Sequence, residues 1–126
     1  MSSHQPFDDR RRTPRGSAAH ISVSVRPRGR LTTLGAEAAD FNRYGIAVYT
    51  EHPLDREQCV FLNLACGDVR VSHLVGVVHN CVRQGDRFRC GIRFRLSSEL
   101  QRDRSLTERH LSRLEAATVD ASRARA

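Results

Sequence analysis

The sequence has 126 residues, a length that suits one domain with a single hydrophobic core. Its formal net charge is +7, and its 21 basic Lys/Arg positions are all arginine. There is no apolar run of membrane-spanning length and no signal segment of the basic-then-apolar kind, so we expect a cytoplasmic protein without a membrane partner.

The positive charge is concentrated near the N-terminus. Residues 10–30 contain seven arginines and no acidic residue, whereas the rest of the chain contains 14 arginines and 14 acidic residues. Four of the seven lie within residues 10–15, a segment without an apolar side chain to bury. Charge concentrated in this way attracts anions to one region of a protein, and salt weakens the attraction.

We expect residues 1–9 to form a disordered leader and residues 10–17 a flexible, arginine-rich ligand-binding arm. Pro14 removes a backbone donor and disfavours helix at the preceding residue. A guanidinium group can give two parallel hydrogen bonds to a phosphate or to the Hoogsteen edge of guanine. The arm therefore suggests a phosphorylated or guanine-bearing ligand, and the alternative is a solvated tail.

Strand patterns follow the arm. Ile21, Val23 and Val25 alternate with polar residues, and Arg87 to Arg95 alternates arginine with apolar residues in the same way. Residues 40–45 interrupt the pattern with turn-forming residues and predict a tight connection between two strands. We expect a bulge at Gly35 and a bend at Gly76. The extended segments are 21–25, 31–41, one beginning at residue 46, 60–65, 69–82 and 87–95.

The last part of the chain changes to a helical period. Ser105 and Glu108 fit a capping box, and one helical face carries Leu106, His110, Leu111, Leu114 and Ala117. We expect a helical segment at 97–119 and a frayed tail at 120–126. The predicted fold is mainly β, a small six-stranded antiparallel β-barrel over residues 18–96 followed by a C-terminal α-helix.

No pattern predicts catalysis or a metal. The six histidines are scattered, no glycine-rich phosphate loop is present, and no two of the four cysteines form a C-x-x-C pair. We therefore expect no enzyme activity, no catalytic residue, no metal and no cofactor. The cysteines fall in apolar, strand-like runs and are predicted to be buried thiols. They are Cys59, Cys66, Cys81 and Cys90.

Three short motifs together resemble the PilZ domain, the bacterial receptor module for the second messenger cyclic di-GMP. The family's arm motif R-x-x-x-R matches Arg11 to Arg15, and its [D/N]-x-S-x-x-G motif matches Asp40 to Gly45. The sequence CGIRF at 90–94 is similar to the end of the family's last barrel strand. One position departs from the pattern, because Asn42 replaces the family's serine.

The resemblance implies a cyclic di-GMP receptor whose arm becomes ordered over the ligand and which signals through a separate, unidentified effector protein. Arg11 and Arg15 would contact phosphates and guanine Hoogsteen edges, with Arg10 and Arg12 as auxiliary contacts. Asp40 would accept hydrogen bonds from guanine, and Asn42 would add a polar contact. Gly45 would permit the backbone geometry of the turn, including a positive φ.

Two alternatives remain at this point. A PilZ-like adaptor that does not bind nucleotide would act by protein contact, and it is favoured if Asn42 disables the site. A small basic barrel could instead bind single-stranded nucleic acid, but such proteins need stacking aromatic side chains along a basic face. With five Phe, two Tyr and no Trp, this chain does not favour a nucleic-acid partner.

Overall fold

The computed structural model describes residues 18–125, and the predicted leader and arm lie outside this range. The predicted fold class is confirmed, since six strands are followed by one C-terminal α-helix. The elements are a short 3-10 helix (Ala18–His20), β1 (Ser22–Pro27), β2 (Leu34–Asn42), β3 (Gly45–Thr50), β4 (Cys59–Cys66), β5 (Val69–Gln84), β6 (Arg87–Phe94) and α1 (Arg104–Arg125).

The six strands close into an antiparallel barrel in the order β1-β2-β3-β6-β5-β4. Alternate apolar residues of each strand point inward, as the period of two predicts. The fully buried centre includes Val25, Val48, Leu62, Leu74 and Ile92, each with at most 1% of its surface exposed. Closure leaves no free sheet edge within the barrel, which removes the edge-pairing hazard of small sheets.

The irregular points of the barrel differ from those predicted. Gly35 pairs regularly with Ser24, and the bulge in β2 lies instead at Ala39. Strand β5 continues through Gly76, where an added Cβ would lie 2.6 Å from Cγ2 of Ile92. Gly76 is therefore required for close packing inside the barrel and does not mark a bend. Two further register shifts involve β5, one against β4 at Leu62–Leu64 and one against β6 at His79.

Helix α1 begins at Arg104 and runs to Arg125, further than the predicted end at residue 119. The predicted capping box is wrong, because Ser105 lies inside the helix and the Asp103 carbonyl accepts the Thr107 amide. The buried face is also rotated from the predicted one: Leu111 and Leu114 are buried, but Leu106 is 40% exposed. Polar residues complete that buried face, namely Thr107, Glu115 and Thr118.

Two of the four cysteines follow the prediction. Cys66 and Cys90 are buried, whereas Cys59 and Cys81 are only partly so. Within residues 18–125, no helix has the length and apolar character needed to cross a bilayer.

Candidate ligand-binding site

The β2–β3 hairpin carries the second predicted motif. Its strands end at Asn42 and begin again at Gly45, with Arg43 and Tyr44 forming the turn between them. Asn42 pairs directly with Gly45, so the connection is as tight as the sequence predicted.

The bulge at Ala39 decides which way the motif residues point. Ala38 and Phe41 both belong to the buried core, although strict alternation would place residues three apart on opposite faces. The extra residue reverses the alternation, so Asp40 and Asn42 share the outer face of the barrel. The two polar side chains therefore stand next to each other on one surface.

The Asp40 carboxylate is held against its own strand. Its Oδ1 accepts a hydrogen bond from the Phe41 amide at 3.0 Å, and only 7% of the residue surface is exposed. An ionised carboxylate offers about four lone-pair positions. The Phe41 amide is one partner of this carboxylate.

Asn42 closes the turn. Its Oδ1 accepts the Tyr44 amide at 2.8 Å, which is the local side-chain to backbone bond of an Asx turn. The residue is 2% exposed. A serine hydroxyl makes the same kind of bond, although more weakly. Asparagine can therefore replace the serine of the motif without loss of the turn's internal hydrogen bond.

The turn is also fixed from outside by α1. Glu115 accepts the Arg43 amide through Oε2 at 3.1 Å and the Arg43 Nε through Oε1 at 3.2 Å. The Glu115 side chain is 10% exposed, whereas that of Arg43 is 49% exposed. One buried carboxylate thus ties the middle of the motif to the helix.

Beside Asp40 and Asn42, the outer face of the sheet is made of very small residues. Asp40 pairs with Ala47, which in turn pairs with Gly91 of β6. Gly45 pairs with Arg93, which lies on β6 two residues after Gly91. Gly45, Ala47 and Gly91 are all buried, Ala47 completely, and the side chains of His79 and Asn80 lie close to Gly91. We call these three residues the small-residue bed. The exposed Arg93 lies at one side of it.

The structure brings together the predicted residues Asp40, Asn42 and Gly45. The expected positive φ at Gly45 is wrong, because the glycines with positive φ in the described part of the chain are Gly29, Gly67 and Gly85. Gly45 is the first residue of β3, and its extended backbone serves pairing on both sides. The four predicted arginine contacts lie outside the described residues: Arg10, Arg11, Arg12 and Arg15.

The comparison with family models decides which family this site belongs to. The model of the PilZ domain matches residues 9–113, which includes both predicted motifs and the first ten residues of α1. The chain belongs to the PilZ family. PilZ domains are ligand-binding receptor modules, and the resemblance predicted from the motifs is confirmed.

Among solved structures, the fold is similar to that of MrkH from K. pneumonia in its apo state, with a TM-score of 0.64 and 14% sequence identity. The match covers 93% of this chain and 53% of MrkH, so this PilZ chain spans about half the length of that protein. At this identity the likeness shows the fold alone. Comparison with curated proteins gives no match.

Sequence reasoning missed part of the surface around the PilZ motif. The CGIRF motif contains Gly91 but does not indicate how closely this residue is packed. A Cβ at this position would lie 2.7 Å from Nε2 of His79 and 2.9 Å from Oδ1 of Asn80. The Gly91 amide donates to that same Asn80 Oδ1 at 3.0 Å. Arg93 is one of the arginines that alternate with apolar residues along β6, and only the pairing of β3 with β6 places it beside Gly45.

Proposed function

We propose that this PilZ protein is a cyclic di-GMP receptor that binds its ligand on the outer face of β2, β3 and β6. The observation that carries the proposal is the placement of Asp40 and Asn42 on one face beside the small-residue bed. A polar edge next to small side chains suits a guanine base, which has a planar ring and a hydrogen-bonding edge. Membership of the PilZ family supports the choice of ligand.

Asp40 is proposed to accept hydrogen bonds from the N1–H and the N2 amine of guanine. An ionised carboxylate has two acceptor oxygens, the number that this paired contact requires. With 7% of Asp40 exposed, the ligand has to displace whatever covers the carboxylate. Binding therefore involves a local rearrangement around β2.

The arm supplies the phosphate contacts in this proposal. Arg11 and Arg15 bind phosphates and Hoogsteen edges, and Arg10 and Arg12 assist. Fixing about six residues costs on the order of 6 to 12 kcal/mol. Charge-assisted hydrogen bonds contribute about 1.5 to 3 kcal/mol each. Four or more such bonds offset the cost, so the arm becomes ordered when the ligand binds.

The output of the receptor is proposed to pass through α1 to a separate effector protein. Glu115 holds both the amide and the Nε of Arg43, which lies in the middle of the binding motif. A rearrangement of the turn would therefore change the docking of the helix. Hydrogen exchange should show altered protection in α1 on addition of cyclic di-GMP in the wild type, and a smaller change in Glu115→Gln.

The decisive experiment is isothermal titration of the purified protein with cyclic di-GMP at physiological salt, with GTP as the control nucleotide. We expect saturable binding of cyclic di-GMP that is lost in Arg11→Ala and Asp40→Ala. Arg28→Ala is the matched control, because Arg28 is an exposed arginine of the β1–β2 connection outside both motifs. Its affinity should equal that of the wild type.

A second candidate function is favoured by one observation. Asn42 replaces the family serine, and its Oδ1 is committed to the turn with 2% of the residue exposed. A protein that binds no nucleotide for this reason would be a PilZ-like adaptor acting through protein contacts. Absence of heat from cyclic di-GMP, in a sample shown by circular dichroism to be folded, would favour the adaptor.

A further inference from the structure

Two cysteines meet across strands β5 and β6, away from the proposed ligand face. Cys81 and Cys90 are direct partners in the pairing of the two strands. Their Sγ atoms are 2.8 Å apart, and both residues carry free thiols. Neither of the other cysteines is placed in this way, since Cys59 pairs with Val77 and Cys66 with Val69.

The bulge at His79 produces this contact. Val78 pairs with Ile92, and Cys81 pairs with Cys90. Two residues that are three positions apart on β5 therefore pair with two residues that are two positions apart on β6. Strict alternation would turn Cys81 to the other face of the sheet from Val78. With the extra residue, Cys81 packs against the core beside Cys90.

The two thiols differ in their environment. Cys90 is completely buried, and burial together with the hydrogen bond to Cys81 raises the pKa of its thiol to about 11. Cys81 is partly exposed. A small oxidant from solvent therefore reaches Cys81 first. The Cys90 thiol is buried and in contact with the Cys81 thiol.

We propose that Cys81 and Cys90 are a site of oxidative modification, at which hydroperoxides convert the two thiols into a disulfide across β5 and β6. The Cys81 thiolate attacks a peroxide oxygen and becomes a sulfenic acid with loss of water or an alcohol. The Cys90 thiol then attacks the Cys81 sulfur, the sulfur–oxygen bond breaks, and the hydroxyl leaves with the Cys90 proton as water. The pair gives up two electrons and the peroxide accepts them.

The strand geometry permits this bond without a change of fold. Partners in an antiparallel pair have Cα atoms about 4.5 or 5.5 Å apart, and both separations fall within the range found for disulfides. From the observed 2.8 Å, the two sulfurs need to approach by roughly 0.8 Å to reach bonding distance. Small side-chain rotations suffice for such a movement. The ladder between β5 and β6 can therefore stay intact.

The test is treatment of the full-length, reduced protein with hydrogen peroxide, followed by thiol counting and intact mass under denaturing, non-reducing conditions. We expect a monomer that loses two of its four free thiols and the mass of two hydrogen atoms. Trypsin cleaves after Arg83 and Arg89, so the two cysteines fall on separate peptides that stay joined until a reductant is added.

Cys81→Ser should abolish this product, and Cys59→Ser should leave it unchanged, which makes Cys59→Ser the matched control. Thiol loss that persists in Cys81→Ser, a disulfide-linked dimer, or Cys81 oxidised to sulfinic acid without cross-linking would each overturn the proposal. The peptide map of the wild type shows whether the Cys81–Cys90 disulfide forms, even where a variant fails to fold. The proposal is independent of nucleotide binding.

Discussion

Glu115 of α1 holds both the backbone amide and the side-chain Nε of Arg43, the residue at the centre of the β2–β3 motif. The two residues are 72 positions apart in the chain, and they join the outer face of the barrel to the C-terminal helix. A carboxylate that accepts two hydrogen bonds from one residue fixes both the position and the direction of the turn.

Replacing Glu115 with alanine should destabilise the fold by about 1 to 3 kcal/mol, because the Arg43 amide loses its acceptor. The ion pair adds little, since the Arg43 side chain is about half exposed. Urea unfolding measures the change, with Glu108→Ala on the exposed part of the same helix as the control. Equal midpoints for the two variants would contradict the role of Glu115.

Arg15→Ala should weaken binding of cyclic di-GMP roughly 10- to 150-fold, because one charge-assisted contact worth about 1.5 to 3 kcal/mol is lost. Titration calorimetry beside the Arg28→Ala control measures the affinity. An affinity equal to that of the wild type would remove Arg15 from the site.

Asn42→Ser should keep the turn, because a hydroxyl oxygen can accept the Tyr44 amide as Oδ1 of asparagine does. Asn42→Ala removes the acceptor and should cost about 1 to 3 kcal/mol of stability. Thermal or urea unfolding of the two variants side by side tests this difference. If both variants lost the same stability, the Asx bond would not be what holds the turn.

Gly76→Ala should destabilise the barrel by about 1 to 3 kcal/mol, the usual cost of overpacking a filled core. The added Cβ would meet Ile92 at 2.6 Å and Leu62 at 3.2 Å. Gly35→Ala is the matched control, because a Cβ at that strand position meets no atom within 4 Å. Similar unfolding midpoints for the two alanine variants would show that the barrel expands to accept the methyl group.

The buried Cys90 thiol should make stability fall in alkaline solution. Its pKa is raised from 9.0 to about 11 on folding, so the unfolded chain loses the proton first as the pH rises. The stabilisation is complete below pH 9 and is lost progressively up to about pH 11. Urea midpoints under reducing conditions should fall less steeply over this interval in Cys90→Ala than in the wild type.

The sequence by itself determined the class of the fold and the positions of most elements. Alternation along Ile21 to Val25 and along Arg87 to Arg95 is a local property, because one face of each strand is buried and the other is not. The hairpin turns after β4 and β5 contain Gly67 and Gly85, whose φ values of +60° and +66° favour glycine. The motif residues Asp40 and Asn42 were also found from sequence, through their order and spacing.

Only the tertiary structure decided which residues stand together. The barrel has three register shifts, at Ala39 in β2, at Leu62–Leu64 where β4 pairs with β5, and at His79 in β5, and none falls at a residue with a bulge signal. The shifts at Ala39 and His79 reverse the alternation for the rest of their strands. The helix face was mispredicted for a related reason, since Thr107, Glu115 and Thr118 are buried by packing and by partners that a periodic pattern of apolar residues does not reveal. Local period predicts the elements, but register and partners arise from contacts between distant parts of the chain.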